Sequence, residues 1–263
     1  MSTRLDQIVA ATRRRVAETK AQANLCDLEN EAKTHVPRGF RRALAEHPGI
    51  AVIAELKKAS PSKGLIRANF DVKLLTQELE AAGAAALSVL TDEEFFQGSL
   101  ENLRIASSVT RIPCLRKDFM IDEFQIVEAR ANQADAILLI VAALSQAELT
   151  TLKRKAKEQE LDVLCEVHDE EELKRALDAG CDLIGVNNRN LKTFEVKLAT
   201  ALNLAEQMPR NVLTVAESGI HSASDMAKLK AAGYQAFLIG ESLMKATSPG
   251  DALRALTESA VAL

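Results

Sequence analysis

Eight short apolar runs recur along the chain, each followed by a longer stretch with helical spacing. The runs are AVIAEL from Ala51, ALSVL from Ala86, PCLRK from Pro113, AILLIV from Ala136, DVLCEV from Asp162, LIGVN from Leu183, VLTVAE from Val212 and AFLIGE from Ala236. Near-continuous apolar runs of this length suit strands buried on both faces, as in a parallel sheet. The segments between them, among them DVKLLTQELEAAGA, SQAELTTLKRKAKEQE, DEEELKRALDAG and SASDMAKLKAAG, read as helices. Several end in Ala-Gly (Ala82-Gly83, Ala179-Gly180, Ala232-Gly233), which suits a left-handed turn closing a helix. Successive runs start roughly 20 to 35 residues apart, enough for a strand, a helix and two short loops. Eight such units predict an α/β fold closed into a (β/α)8 TIM barrel.

An open doubly wound sheet also uses buried parallel strands, but it carries a Gly-rich turn after its first strand. Here that position reads KKASPSKG, which matches neither that turn nor a P-loop. The barrel occupies residues 49–263 in this reading. Residues 1–48 form a helical extension of one or two helices, LDQIVAATRRRVAETKAQANL and PRGFRRALAE, the second beginning at Pro37. Such an extension can cap a barrel end or line its mouth. The whole of 1–263 is expected to be one domain.

Composition narrows the function. With 47% hydrophobic residues, the chain can build its core without disulfide or metal staples. The four cysteines, Cys26, Cys114, Cys165 and Cys181, show no zinc spacing and read as reduced thiols. A net charge of −4 argues against a nucleic-acid binder. With no apolar leader and no long uncharged apolar run, the expectation is a cytoplasmic protein without membrane contact.

Polar residues end the strands in a repeated way. Side chains alternate across a strand, so Glu55 and Lys57 share the face of Ile53. If Ile53 fills the barrel interior, both charges rise into the C-terminal mouth. The same offset places Lys117 after Leu115, Glu166 after Leu164, Asn187 after Gly185 with Arg189 beyond, Glu217 after Val215, and Glu241 after Ile239. Any one could be a strand end running into solvent. Together they combine acids and bases, and such convergence is where pKa values shift and active sites sit. The turns Glu217-Ser218-Gly219 and Gly240-Glu241-Ser242, after strands seven and eight, occupy the loops that bind phosphate in many barrels. Phe96 and Phe119, in a chain with only 3% aromatics, each follow a strand end and read as core or as walls for a flat ring. His168 opens HDEEEL and is read as a cap or surface residue; His35, His47 and His221 have no visible partners. The acidic groups at Asp92 to Glu94 and Asp169 to Glu172 read as loop or first-turn carboxylates.

The segments IAELKKASPSKG, SVLTDEEFFQGS, PCLRKDF, LCEVH, GVNNRNL, VAESGI and FLIGESLM, in this order, closely resemble the indole-3-glycerol phosphate synthase family across essentially the whole chain. The resemblance implies a lyase of tryptophan biosynthesis needing no metal and no organic cofactor. Its implied substrate is 1-(2-carboxyphenylamino)-1-deoxyribulose 5-phosphate, which closes a ring with loss of CO2 and water. It implies catalytic roles for Glu55, Lys57, Lys117, Glu166, Asn187 and Ser218, with Glu217 and Arg189 beside them. Phosphate contacts fall on Ser60, Gly219, Gly240 and the backbone of Glu241, and ring contacts on Pro61, Phe96, Phe119 and Leu191. Lys117 is expected to act as general acid, facing Lys57 across the mouth. The chain is expected to be a monofunctional monomer. Rival readings are a related barrel, such as phosphoribosylanthranilate isomerase or the tryptophan synthase α chain, and a catalytically dead sugar-phosphate sensor.

Overall fold

The eight apolar runs form the strands of a closed, wholly parallel barrel. They are β1 (Ala51–Leu56), β2 (Ala86–Leu90), β3 (Cys114–Lys117), β4 (Ala136–Ile140), β5 (Asp162–Val167), β6 (Leu183–Asn187), β7 (Leu213–Glu217) and β8 (Ala236–Ile239). The computed structural model describes residues 3–191 and 193–261. Each strand pairs with the next, and β8 closes on β1 in the register Ile53 to Leu238. The outer helices start at side-chain caps, as Asp71, Ser99, Asp122, Ser145, Asp169 and Ser222 each accept a first-turn backbone N–H. The Ala-Gly ends behave as expected, with positive φ at Gly83, Gly180 and Gly233.

Strand parity sorts the residues into two cores. Ile53, Leu115, Leu138, Leu164, Leu183, Val215 and Leu238 fill the barrel interior, while the opposite faces pack against the helices. On β8 this corrects the sequence reading. Leu238 points inward and Ile239 packs outward, so Gly240, not Glu241, continues the inward face. Glu241 instead opens a short helix, Glu241–Lys245, that begins at Gly240.

The N-terminal extension holds three helices, Arg4–Gln22, Leu25–Ala32 and Phe40–Ala45. The last begins at Phe40, not Pro37, because Gly39 supplies the left-handed cap at φ 79°. Phe40 and Leu44 are buried against the interior residues at the bottom of the barrel; burying such a side chain is worth about 1.5–3 kcal/mol. Leu25–Ala32 packs on the helix Glu123–Ala131 through Leu28, Ala32, Val127 and Ala131. The first helix lies at the opposite end, where Arg4, Leu5 and Ile8 line the mouth. The extension thus does both things expected of it, closing the base and walling the site.

Among the described residues, Cys114, Cys165 and Cys181 are buried free thiols and Cys26 is exposed. Among them, too, no helix is long and apolar enough to cross a membrane.

Candidate active site

The cavity at the C-terminal mouth gathers every residue singled out in the sequence as catalytic or substrate-binding. Its lining includes Glu55, Lys57, Ser60 and Pro61 from β1 and the loop after it, and Phe96 beyond β2. Lys117 and Phe119 come from β3, Glu166 from β5, Asn187, Arg189 and Leu191 from β6, Glu217, Ser218 and Gly219 from β7, and Gly240 and Glu241 from beyond β8.

At its centre stands Lys117. Its ammonium lies 2.8 Å from Glu217 Oε2 and 3.2 Å from Glu166 Oε2. Burial works against its charge, but Glu217, Glu166 and Glu55 outweigh burial and hold its pKa above the usual lysine range. The two carboxylates respond in opposite directions. Burial disfavours charge on Glu166, yet Lys117, His168 and Asn187 override it and keep Glu166 ionised, its pKa lowered. Burial pushes Glu217 up to about 7, with Lys117 opposing and Glu166 adding repulsion.

The neighbouring strand explains that contrast. Asn187 stands next to Glu217 and donates from Nδ2 to Glu166 Oε1 at 3.1 Å, while its Oδ1 accepts the Arg189 backbone N–H at 3.0 Å. Glu217 Oε1 has no such donor. It turns down over Gly185, where an added Cβ would sit 2.1 Å from it. Gly185 makes room for a buried carboxylate oxygen, and the missing hydrogen bond is part of what lets Glu217 keep a proton.

Gly240 does the same for β1. A Cβ there would come within 2.3 Å of Glu55 Oε2, the oxygen that grips Lys57. Its φ is negative, at −128°, so the left-handed region is not what asks for glycine here; the space taken by Glu55 is. Each lysine therefore has its own carboxylates, Lys57 with Glu55 and Lys117 with Glu166 and Glu217. Both lysines line the same cavity.

Beyond β7, Ser218 and Gly219 both take the left-handed conformation, at φ 65° and 76°. For a non-glycine residue this typically costs on the order of 1 kcal/mol, a strain that clusters at functional turns. A Cβ on Gly219 would strike Val196. The turn is tied to β6 by Asn188, which donates to the Ser218 carbonyl at 3.1 Å. Arg189 lies 3.6 Å from Glu241, whose other oxygen holds Lys245. Across the cavity the Phe96 and Phe119 rings stand 6.3 Å apart, tilted by 38°.

Two features escaped the sequence reading. His168 is not a surface residue: its ring reaches back to Glu166, with Nε2 3.3 Å from Oε1. Its place two residues after Glu166 was the available signal. Asp118, beside Lys117, is buried in a cluster with Arg15 of the first helix at 2.9 Å, Arg116 at 3.1 Å and Thr91 at 2.8 Å. That cluster fastens the N-terminal helix to the end of β3. Among the described residues no group of three His, Cys, Asp or Glu side chains is arranged to hold a metal ion.

A closed parallel barrel with an ionised acid–base cluster in its C-terminal mouth defines a (β/α)8-barrel enzyme. Such barrels are widespread: 3-hexulose-6-phosphate synthase from Salmonella typhimurium superposes with a TM-score of 0.64 at 12% identity, over 81% of this chain and 99% of its own. That likeness concerns the fold alone. The sequence is more specific. The family pattern described as indole-3-glycerol phosphate synthase matches residues 5–256. Proteins of that name from Koribacter versatilis and Acinetobacter baumannii are 64% and 50% identical over 258 residues, spanning 97% of this chain and 99% and 96% of theirs. The chain belongs to the indole-3-glycerol phosphate synthase family.

Proposed function

We propose that this mouth converts 1-(2-carboxyphenylamino)-1-deoxyribulose 5-phosphate to indole-3-glycerol phosphate, CO2 and water, as a carboxy-lyase of tryptophan biosynthesis. The observation that carries the assignment of roles is the protonated Lys117 held between two carboxylates of opposite tendency.

Ring closure joins the carboxylate-bearing aromatic carbon to the ketone carbon, and the carbonyl oxygen takes a proton from Lys117. Breaking the bond to CO2 returns its electron pair to the ring. The new hydroxyl then leaves as water with a proton, and the methylene carbon that was the sugar's C1, now in the five-membered ring, gives up one proton to complete the indole. Glu166, held ionised, is the acceptor of that proton. Glu217, able to carry a proton near neutral pH, resupplies the lysine or the leaving hydroxyl. Two carboxylates driven apart in pKa are what such a division of labour requires.

Lys57, oriented by Glu55, holds the substrate carboxylate, with Arg189 on the neighbouring wall. Asn187 and Ser218 orient the sugar hydroxyls. The phosphate sits at the turns around Ser60, Gly219 and Gly240 and against the backbone of Glu241, at the start of a helix. Pro61, Phe96, Phe119 and Leu191 flank the anthranilate ring. In this reading the chain is one barrel domain, working as a cytoplasmic monomer on a small phosphorylated substrate without a cofactor.

The test is to mix the purified protein with the carboxyphenylamino sugar phosphate and follow indole absorbance and fluorescence. The chain contains no tryptophan, so the new signal has little background. Steady formation of indole-3-glycerol phosphate with one CO2 per product supports the reading. Tight substrate binding without product favours the sensor alternative.

A further inference from the structure

His168 lies just past the end of β5, behind Glu166 and outside the cavity lining. Its Nδ1 is 2.9 Å from Glu172 Oε2, and that same oxygen accepts the His168 backbone N–H at 2.8 Å. On the other side Nε2 faces Glu166 Oε1 at 3.3 Å, an ion-pair contact that is not aligned as a hydrogen bond. The three side chains are only 11%, 15% and 3% exposed for His168, Glu172 and Glu166. A neutral imidazole has one N–H. Between two carboxylates it would donate to one and set a lone pair against the other. The doubly protonated ring bonds Glu172 through Nδ1 and sets a positive N–H, rather than a lone pair, against Glu166. We propose that His168, anchored by Glu172, is a positioning residue that keeps Glu166 a carboxylate and turns its oxygens toward Asn187 and Lys117.

The need for such a residue follows from the reaction, and the inference rests on the roles proposed above for Lys117 and Glu166. Lys117, from β3, is the main cation stabilising Glu166, but it gives its proton to the carbonyl oxygen. Its charge is therefore lost in the half of the reaction in which Glu166 must remain a base. His168 lies outside the cavity lining, so its charge persists through the cycle. The other ionisable groups around the pair are Glu217 from β7, which repels Glu166, and Glu55 from β1, which acts on Lys117. Burial works against a charged His168 ring, but Glu166 and Glu172 together push it up to about 10.

The experiment compares kcat and KM against pH for the wild type, His168→Leu, Glu172→Gln and the double variant, with Glu166→Gln as control. His168→Leu should lower kcat by about tenfold or more and shift the acid limb of the kcat profile upward by about one pH unit, while KM changes little. Glu172→Gln should act in the same direction, and the double variant should add little to His168→Leu. Wild-type kcat profiles in both single variants would overturn the proposal, as would a rise in KM at constant kcat. If His168→Leu fails to fold, Glu172→Gln, which keeps the ring and its donor, decides alone. Full turnover in Glu166→Gln would instead defeat the reading of Glu166 itself, whereas an inactive Glu166→Gln beside unperturbed His168 and Glu172 variants defeats only the positioning role.

Discussion

Replacing Lys117 with methionine keeps the aliphatic stem and removes the ammonium that Glu217 and Glu166 hold at 2.8 and 3.2 Å. A positioned general acid typically contributes about 10²–10⁴-fold in rate, or roughly 3–5 kcal/mol of barrier, so kcat should fall by that factor. KM should change little, because the proposed phosphate and ring contacts lie elsewhere. Stability responds separately. Removing one partner of a buried ion pair typically costs about 3–5 kcal/mol, since it strands the other charge. Here Glu217 already sits at about 7 in the presence of the lysine, so without it the carboxyl takes up a proton and escapes part of that penalty. A carboxyl whose folded pKa is raised loses stability as pH climbs from its unfolded value through the folded one. Lys117→Met should therefore be closest to wild type in stability at mildly acid pH and fall away toward pH 9. Single-turnover formation of the indole chromophore measures the chemistry, and urea unfolding across pH measures the rest. Turnover within about threefold of wild type would refute the assignment of Lys117 as acid, and a large KM effect at constant kcat would recast it as a binding group.

Other perturbations probe the supports. Gly240→Ala puts a methyl group 2.3 Å from Glu55 Oε2. It should lower activity by an order of magnitude or more by displacing Glu55 and with it Lys57; wild-type kinetics would show that Glu55 can swing aside freely. Gly240→Asp adds a carboxylate at the proposed phosphate turn and should also raise KM strongly, which steady-state kinetics would show. Asp118→Ala releases Arg15 and takes one partner from Arg116, which keeps Glu128 at 2.8 Å, and should cost about 2 kcal/mol in urea unfolding at neutral pH. Arg116 and Arg15 overcome burial to lower the Asp118 pKa, so its contribution is present above the ordinary carboxylate value and lost as pH falls through the depressed one. The difference from wild type should shrink in acid. His168, with a folded pKa raised to about 10, contributes stability that is full below the ordinary histidine value near 6.5 and is lost between there and about 10. His168→Leu should flatten that alkaline decline in thermal melts.

Much of this architecture was legible because burial leaves a direct mark on sequence. Strands covered on both faces must be apolar along their length, so eight runs announced eight strands, and parity carried Glu55, Lys117, Glu166, Asn187 and Glu217 into one mouth. Parity misled on β8, where Leu238 rather than Ile239 faces inward, so Gly240 and not Glu241 takes the inward place at the strand's end. Proline was the wrong marker for the helix at Phe40, since the left-handed Gly39 sets its start. What sequence could not show was partnership. Lys117 and Glu217 lie a hundred residues apart, and nothing local says which carboxylate a lysine will hold. His168 was hidden by its context, because HDEEEL does open a helix, capped by Asp169, and a histidine there reads as solvent-facing until the barrel turns it toward Glu166. The glycines show a similar limit. Gly185 and Gly240 are spared a side chain by Glu217 and Glu55, which belong to neighbouring strands.

The most direct test of the account is a structure of the protein bound to the unreactive analogue in which the substrate ketone is reduced to an alcohol. The account predicts the alcohol oxygen within about 3 Å of Lys117 Nζ, the aromatic carboxylate at Lys57, and the phosphate at the turns of Gly219 and Gly240. An alcohol oxygen beside Lys57, with Lys117 still closed on Glu166 and Glu217, would contradict it.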